Sequence, residues 1–166
     1  MSDLSPERMM ELLTEHEHCE LMGDLDGVMA TLVKNPVFEL HPQKLRIAGY
    51  EAVREMYGNL LPGFDEQFAE SREAEQQSTL RSSITAFADS LLVTEVQDEM
   101  KLPDGNTTRM RMLVVVYYQD GKILGQRLFC DNDFAGLINS ALGPDFVNLP
   151  GVTTIVDEYP CNIRPA

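Results

Sequence analysis

Residues 107–131 read "TTRMRMLVVVYYQDGKILGQRLFCD", and this stretch decides the fold class. Two runs rich in β-branched and aromatic residues, 107–118 and 122–131, flank the turn pair Asp120-Gly121. That pattern predicts a long antiparallel hairpin. The centre of its first strand, "MLVVVYY", has no polar break, so both of its faces should be covered. Helices can cover one face and a second copy of the chain the other, which predicts a homodimer through the sheet. Upstream, "TLRSSITAFA" (79–88) and "SLLVTEVQDEM" (90–100) are two more β-rich runs. Turn signals at Asp89-Ser90 and at Pro103-Asp104-Gly105-Asn106 link them. Four consecutive strands with short connections form an antiparallel meander.

The N-terminal half is helical. Ser5-Pro6-Glu7 starts a helix with a capping serine, proline at the first position and an early acid. It runs to about Met22 and stops at Gly23. Asp24 caps a second helix, Leu25 to Lys34, and Pro36 and Pro42 bracket a short strand, Val37 to His41. Gly49 opens "GYEAVREMYGNLL", with Val53, Met56, Tyr57 and Leu60 on one face, and Pro62-Gly63 closes it. The acidic run from Glu66 to Glu75 reads as a solvated face or a flap. "DFAGLINSALG" reads as a short closing helix. The expected architecture is α+β: a curved antiparallel sheet on three N-terminal helices, one domain over 1–143, with an irregular tail over 144–166. An incompletely closed interior of this kind is the default place for a small molecule.

The chain has 166 residues and a formal charge of -14. Such a charge opposes binding to nucleic acid and to anionic membranes. No run approaches the roughly 18 apolar residues of a membrane span, and "MSDLSPERMM" lacks the pattern of a signal peptide. Cys19, Cys130 and Cys161 show no paired spacing; the expectation is free thiols in the cytoplasm.

The segment "HEHCELMGDLDG" (16–27) holds two of the three histidines. At about 100° per residue, His16 lies within about 60° of Met9, Leu12, Leu13, Cys19 and Glu20. His18 is rotated about 200° away, toward solvent. An inward histidine must satisfy two ring nitrogens.

The segments "GDLDGVMATL", "NPVFELHP", "GYEAVREMYGNLL" and "GKILGQRLF", in this order and spacing, resemble the nuclear-transport-factor-two-like superfamily. That cone-shaped, cystatin-like fold includes SnoaL-like polyketide cyclases and ketosteroid isomerases. The resemblance covers about residues 7–133. It implies a cofactor-free small-molecule enzyme or a non-catalytic binding protein. By similarity to the ketosteroid isomerases, His16 stands where a tyrosine holds the substrate oxyanion, and His41 stands in the place of the general-base aspartate before a proline. Tyr57 matches a supporting tyrosine. Val114 falls where the second oxyanion acid is expected, which departs from the isomerase pattern. By the same counting Glu95, Gln97, Gln126 and Cys130 face the cavity, and Phe38, Val114 and Val116 line its wall. A one-residue slip would turn Glu95 and Gln97 outward and bring Val96 and Asp98 in.

An imidazole titrates near neutral pH and can give or take a proton. The expectation is proton transfer on an apolar carbonyl metabolite, as in isomerisation, dehydration or aldol cyclisation. His41 would be the base, His16 the oxyanion donor, Tyr57 the positioner, and Glu20 an orienting or substrate-binding carboxylate. Three alternatives use neighbouring residues: a ligand carrier without turnover; an epoxide hydrolase using Asp98 with Arg109 or Arg111; and a metal set from His16, Glu20 and His41 with a sheet carboxylate. The leading expectation involves no metal and no cofactor.

Overall fold

A computed structural model describes residues 4–67, 82–101 and 105–155. In chain order the elements are α1 (Pro6–Leu21), α2 (Leu25–Ala30), β1 (Leu32–Leu40), β2 (Leu45–Ala48), α3 (Tyr50–Gln67), β3 (Ser82–Ala88), β4 (Leu91–Lys101), β5 (Thr107–Gln119), β6 (Lys122–Cys130), α4 (Asn132–Leu142) and β7 (Val152–Thr154). The strands form one curved, unclosed sheet in the order β3-β4-β5-β6-β1-β2-β7. Every neighbouring pair is antiparallel except β1–β6, which is parallel. The α+β class and the meander β3 to β6 are as expected.

Local chemistry sets the helix ends. Ser5 Oγ accepts from Arg8 N–H at 3.3 Å, and Asp24 Oδ1 accepts from Gly27 N–H at 2.9 Å. Gly27 leaves room for that cap: a Cβ would collide with the Asp24 carboxylate and lie 2.7 Å from Cys19 Sγ, so both side chains would have to move. Asp131 caps α4, its carboxylate accepting from Phe134 N–H at 3.0 Å.

Strand parity divides the sheet into two faces. Phe38 and Leu40 of β1, Leu92, Thr94 and Val96 of β4, and Met110, Val114, Val116 and Tyr118 of β5 face the helices and are buried. The Tyr118 O–H donates to the Met9 carbonyl at 2.9 Å, tying α1 to β5. The outer face carries Leu91, Val93, Leu113, Val115 and Tyr117. Ile84, Leu113 and Phe129 remain 74%, 38% and 37% exposed there. Among the described residues no helix is long and apolar enough to cross a membrane.

Four local expectations are corrected. The second helix stops at Ala30 rather than Lys34, because the Ile123 N–H captures the Thr31 carbonyl at 3.0 Å and β1 begins at once. A four-residue strand, β2, follows β1 as a hairpin. Pro62 lies inside α3, whose buried Leu60 and Leu61 anchor the helix to the core across the proline. The stretch after Pro144 is not a loose tail: a 3-10 turn at Phe146–Asn148 leads into β7, which pairs with β2. The acidic run beyond Gln67, Cys161 and the last residues of the tail lie outside the described residues.

Gly125 marks the closest approach of β6 to β1. A Cβ there would collide with the Val37 carbonyl oxygen, a backbone atom that cannot swing away. Gly125→Ala should therefore cost about 2–3 kcal/mol or prevent folding, whereas Gly136→Ala on the exposed side of helix α4, with nothing within 4 Å, should gain roughly 0.5–1 kcal/mol. Urea denaturation of both variants checks this contrast.

Candidate functional site

α1, the end of α2, and α3 converge on His16, which is 0% exposed. The amphipathic spacing of α1 buries it beside Met9, Leu12 and Leu13. Both ring nitrogens are engaged. Nδ1 lies 2.7 Å from Thr31 Oγ1, and Nε2 lies 2.9 Å from the Tyr57 hydroxyl. Nε2 is also 3.2 Å from Glu20 Oε1, one helical turn on, and the Glu20 side chain remains 23% exposed. The Tyr57 ring meets His16 and Phe38 edge-on, with centroids 5.7 and 5.6 Å away. Burial holds the Tyr57 phenol well above its ordinary range, and the negative charge of Glu20 and a hydrogen bond to it add to that shift. Tyr57 is thus a permanent donor, serving either Nε2 or Glu20. Glu20 is the accessible end of an otherwise buried polar chain.

The helix-facing side of β6 continues this region. Register places Gln126 between Phe38 and Val116, with Leu128 beside Val114 and Cys130 beside Met112. Gln126, Leu128 and Cys130 stay partly accessible although they face the helices. Burial and then Asp131 push the Cys130 thiol up to about 12, so it is no nucleophile near neutral pH. Val114 is buried in the wall.

Glu95 and Gln97 are corrections. They pair with Leu113 and Arg111, so they lie on the outer face; Thr94 and Val96 take the inner positions. The register differs from the expected one by a single residue, which moves the whole set. Gln97 Nε2 donates to Glu95 Oε1 at 3.4 Å on that outer face. Arg109 and Arg111 share it, so they cannot serve an interior epoxide site.

His41 is the larger correction. Phe38 and Leu40 point inward, so Glu39 and His41 point outward, away from His16. The ring stacks on Phe129 with centroids 4.1 Å apart and planes 15° apart. Arg127 Nε donates to Glu39 Oε2 at 2.9 Å and sits 3.2 Å from His41 Nε2. Arg46 Nε is 3.8 Å from Glu39 Oε1. The expected pairing of His16 and His41 across one hollow is not formed, and neither is a metal set that needs both.

No protein-family model matches this sequence, and no curated protein matches it. Solved structures do. An NTF2-like protein from Burkholderia xenovorans matches with a TM-score of 0.55 over 81% of this chain and 98% of that one, at 10% identity. SalBIII, an epoxide hydrolase/cyclase-like enzyme with a role in pyran ring formation in the polyether salinomycin, gives 0.54 over 76% and 92%, at 15% identity. A Bacillus subtilis protein with a provisional isomerase assignment gives 0.54 over 78% and 94%, at 19% identity. This chain has the nuclear-transport-factor-two-like fold.

Within that fold, Thr31 and the outer cluster of Glu39, Arg46 and Arg127 were not anticipated. Thr31 carries no distinctive signal within "GVMATL", since its role depends on where α2 ends. The outer cluster was accessible from alternation: Phe38 and Leu40 are the apolar pair of "FELH", which leaves Glu39 and His41 on the other face.

Burial, and then the Arg127 guanidinium, hold His41 below the ordinary imidazole value. The folded protein therefore resists a proton that the unfolded chain accepts, and stability rises with pH in that window. The contribution is fully present above about pH 6.5 and is lost progressively as pH falls toward the folded value. Urea midpoints compared at pH 7.5 and 5.5 should drop more for the wild type than for His41→Gln. Equal drops would contradict the assignment.

Proposed function

We propose that this chain is a cofactor-free proton-transfer enzyme for an apolar, carbonyl-bearing small molecule, of the isomerase, dehydratase or cyclase type, with Glu20 as its base. One observation carries the reading. A partly accessible carboxylate lies 3.2 Å from the Nε2 of a fully buried histidine that also meets a phenol. Glu20 removes a proton from the carbon beside the carbonyl, and the C–H electrons move onto the carbonyl oxygen as an enolate. His16 Nε2 shares the proton, and Tyr57 turns its O–H toward the carboxylate or the ring as charge requires. The proton then returns to another carbon, or a leaving group departs, and the network is reset. Gln126, a partly accessible residue on the same face of the sheet, is the donor for the oxygen. Phe38, Val114 and Val116 form the apolar wall. His41 has no part in this chemistry.

The neighbours with enzymatic descriptions support this class through fold alone. Val114 favours a second reading, a ligand carrier without turnover, because no acidic donor stands at that place. Screening carbonyl compounds for both thermal shift and turnover separates the two. For the enzyme, Glu20→Gln should lower kcat by at least about 100-fold while the unfolding temperature moves by only a few degrees. Unchanged turnover would exclude Glu20 as the base, and stabilisation without product in any compound would favour the carrier.

The proposal includes a second copy on the outer face. That face is apolar along Ile84, Val93, Leu113 and Val115. Among the described residues it sets Arg46, Arg109, Arg111 and Arg127 against Glu39, Glu95 and Glu99. A chain of charge -14 thus presents a nearly neutral surface where self-association needs one. Light scattering should give a dimer mass for the wild type and 18.6 kDa for Leu113→Asp. A monomeric wild type would overturn this part.

A further inference from the structure

The hydroxyl of Thr31 has one hydrogen and two neighbours that could take it. Its Oγ1 lies 2.6 Å from the Val28 carbonyl oxygen, which can only accept. Two oxygens at that distance without a hydrogen between them repel, so the hydroxyl hydrogen points at Val28. Toward His16 Nδ1, 2.7 Å away, Thr31 then presents a lone pair. A bare Nδ1 facing that lone pair in a fully buried site would be repelled and unsatisfied. Nδ1 must therefore carry a hydrogen and donate it to Thr31.

We infer that Thr31 is the positioning residue of the proton-transfer site: it keeps His16 Nδ1 protonated in both charge states, so Nε2 alone exchanges a proton with Glu20. This role rests on the reading of Glu20 as the base, whereas the tautomer itself follows from the geometry alone. In the neutral ring, Nε2 has its lone pair and accepts the Tyr57 O–H at 2.9 Å, and the Glu20 carboxyl beside it is then protonated or swung toward solvent, because an ionised oxygen 3.2 Å away would repel that lone pair. In the charged ring, Nε2–H donates to Glu20 Oε1 at 3.2 Å, and the Tyr57 O–H turns to Glu20. One proton enters or leaves and a single rotor moves. The opposite neutral tautomer, with its hydrogen on Nε2, would aim a donor at Glu20 and could accept nothing from it. A hydroxyl fixed by the last turn of α2 thus decides whether the nitrogen facing Glu20 can accept its proton.

The test is nitrogen NMR of His16 in the full chain, recorded up the pH range while the protein stays folded. Nε2 should lose its proton and show the shift of a lone-pair nitrogen, while Nδ1 remains protonated throughout. Thr31→Val, which keeps the shape and removes the hydroxyl, should transfer the lone pair to Nδ1, and Thr31→Ser should restore the wild-type pattern. Turnover should fall roughly 10–100-fold in Thr31→Val and recover in Thr31→Ser. Loss of the Nδ1 proton in the wild type, retention of the Nε2 proton at every pH, or an unchanged tautomer in Thr31→Val would each overturn the inference. If Thr31→Val does not fold, the wild-type spectrum decides alone. The NMR result is independent of Glu20→Gln kinetics, so failure of the catalytic reading would leave the tautomer standing, and failure of the tautomer would leave Glu20 to be judged by its own variant.

Discussion

The fold's interior depends on satisfying one buried imidazole. His16 brings two polar nitrogens into a fully buried place between α1, α2 and α3. Leaving either nitrogen unpaired would cost about 1–3 kcal/mol, a sizeable share of the stability of a domain this size. Thr31 answers one nitrogen and Tyr57 with Glu20 the other. Those partners come from three separate segments. The end of α2, the last turns of α1 and the middle of α3 must therefore arrive together, and the contact that locks the helices also builds the polar end of the interior.

That demand explains details elsewhere. α2 must stop at Ala30 so that Thr31 can turn its hydroxyl under the ring while Leu32 already pairs with Ile123. Gly27 lets α2 pack tightly against Cys19. Phe38 closes over Tyr57 from the sheet side, and Gly125 lets β6 approach β1 closely enough to place Phe38 and Gln126 side by side. The mostly apolar inner wall strengthens the few polar contacts it holds, because low polarity raises the value of each one.

Much of this was legible in the sequence. Helical spacing put His16 inside, and Asp120-Gly121 fixed the β5–β6 hairpin. Gln126 and Cys130 occupy the expected inner face. The failures have physical causes. In "LLVTEVQDEM" both alternating sets mix polar and apolar residues, so periodicity cannot choose a face; pairing with β5 does, and it turns Glu95 and Gln97 outward. β2 is four residues long and has meaning only as the partner of β1 and β7. His41 matches the isomerases' base only by position along the chain, and local alternation, not that position, decides which face a side chain takes. Phe38 and Leu40 cannot both face the core unless His41 faces away. Its surroundings, Arg127, Glu39 and Phe129, form an outward charge cluster instead of a catalytic partner.

The functional account therefore turns on which side of the sheet meets the small molecule. A crystal structure with a bound carbonyl compound would test this most directly. The account predicts the ligand between the helices and the inner face, its polar atom about 3 Å from Glu20 and its apolar body against Phe38 and Val116. A ligand seated on the outer face beside His41 and Arg127, or one that leaves Glu20 untouched, would contradict it.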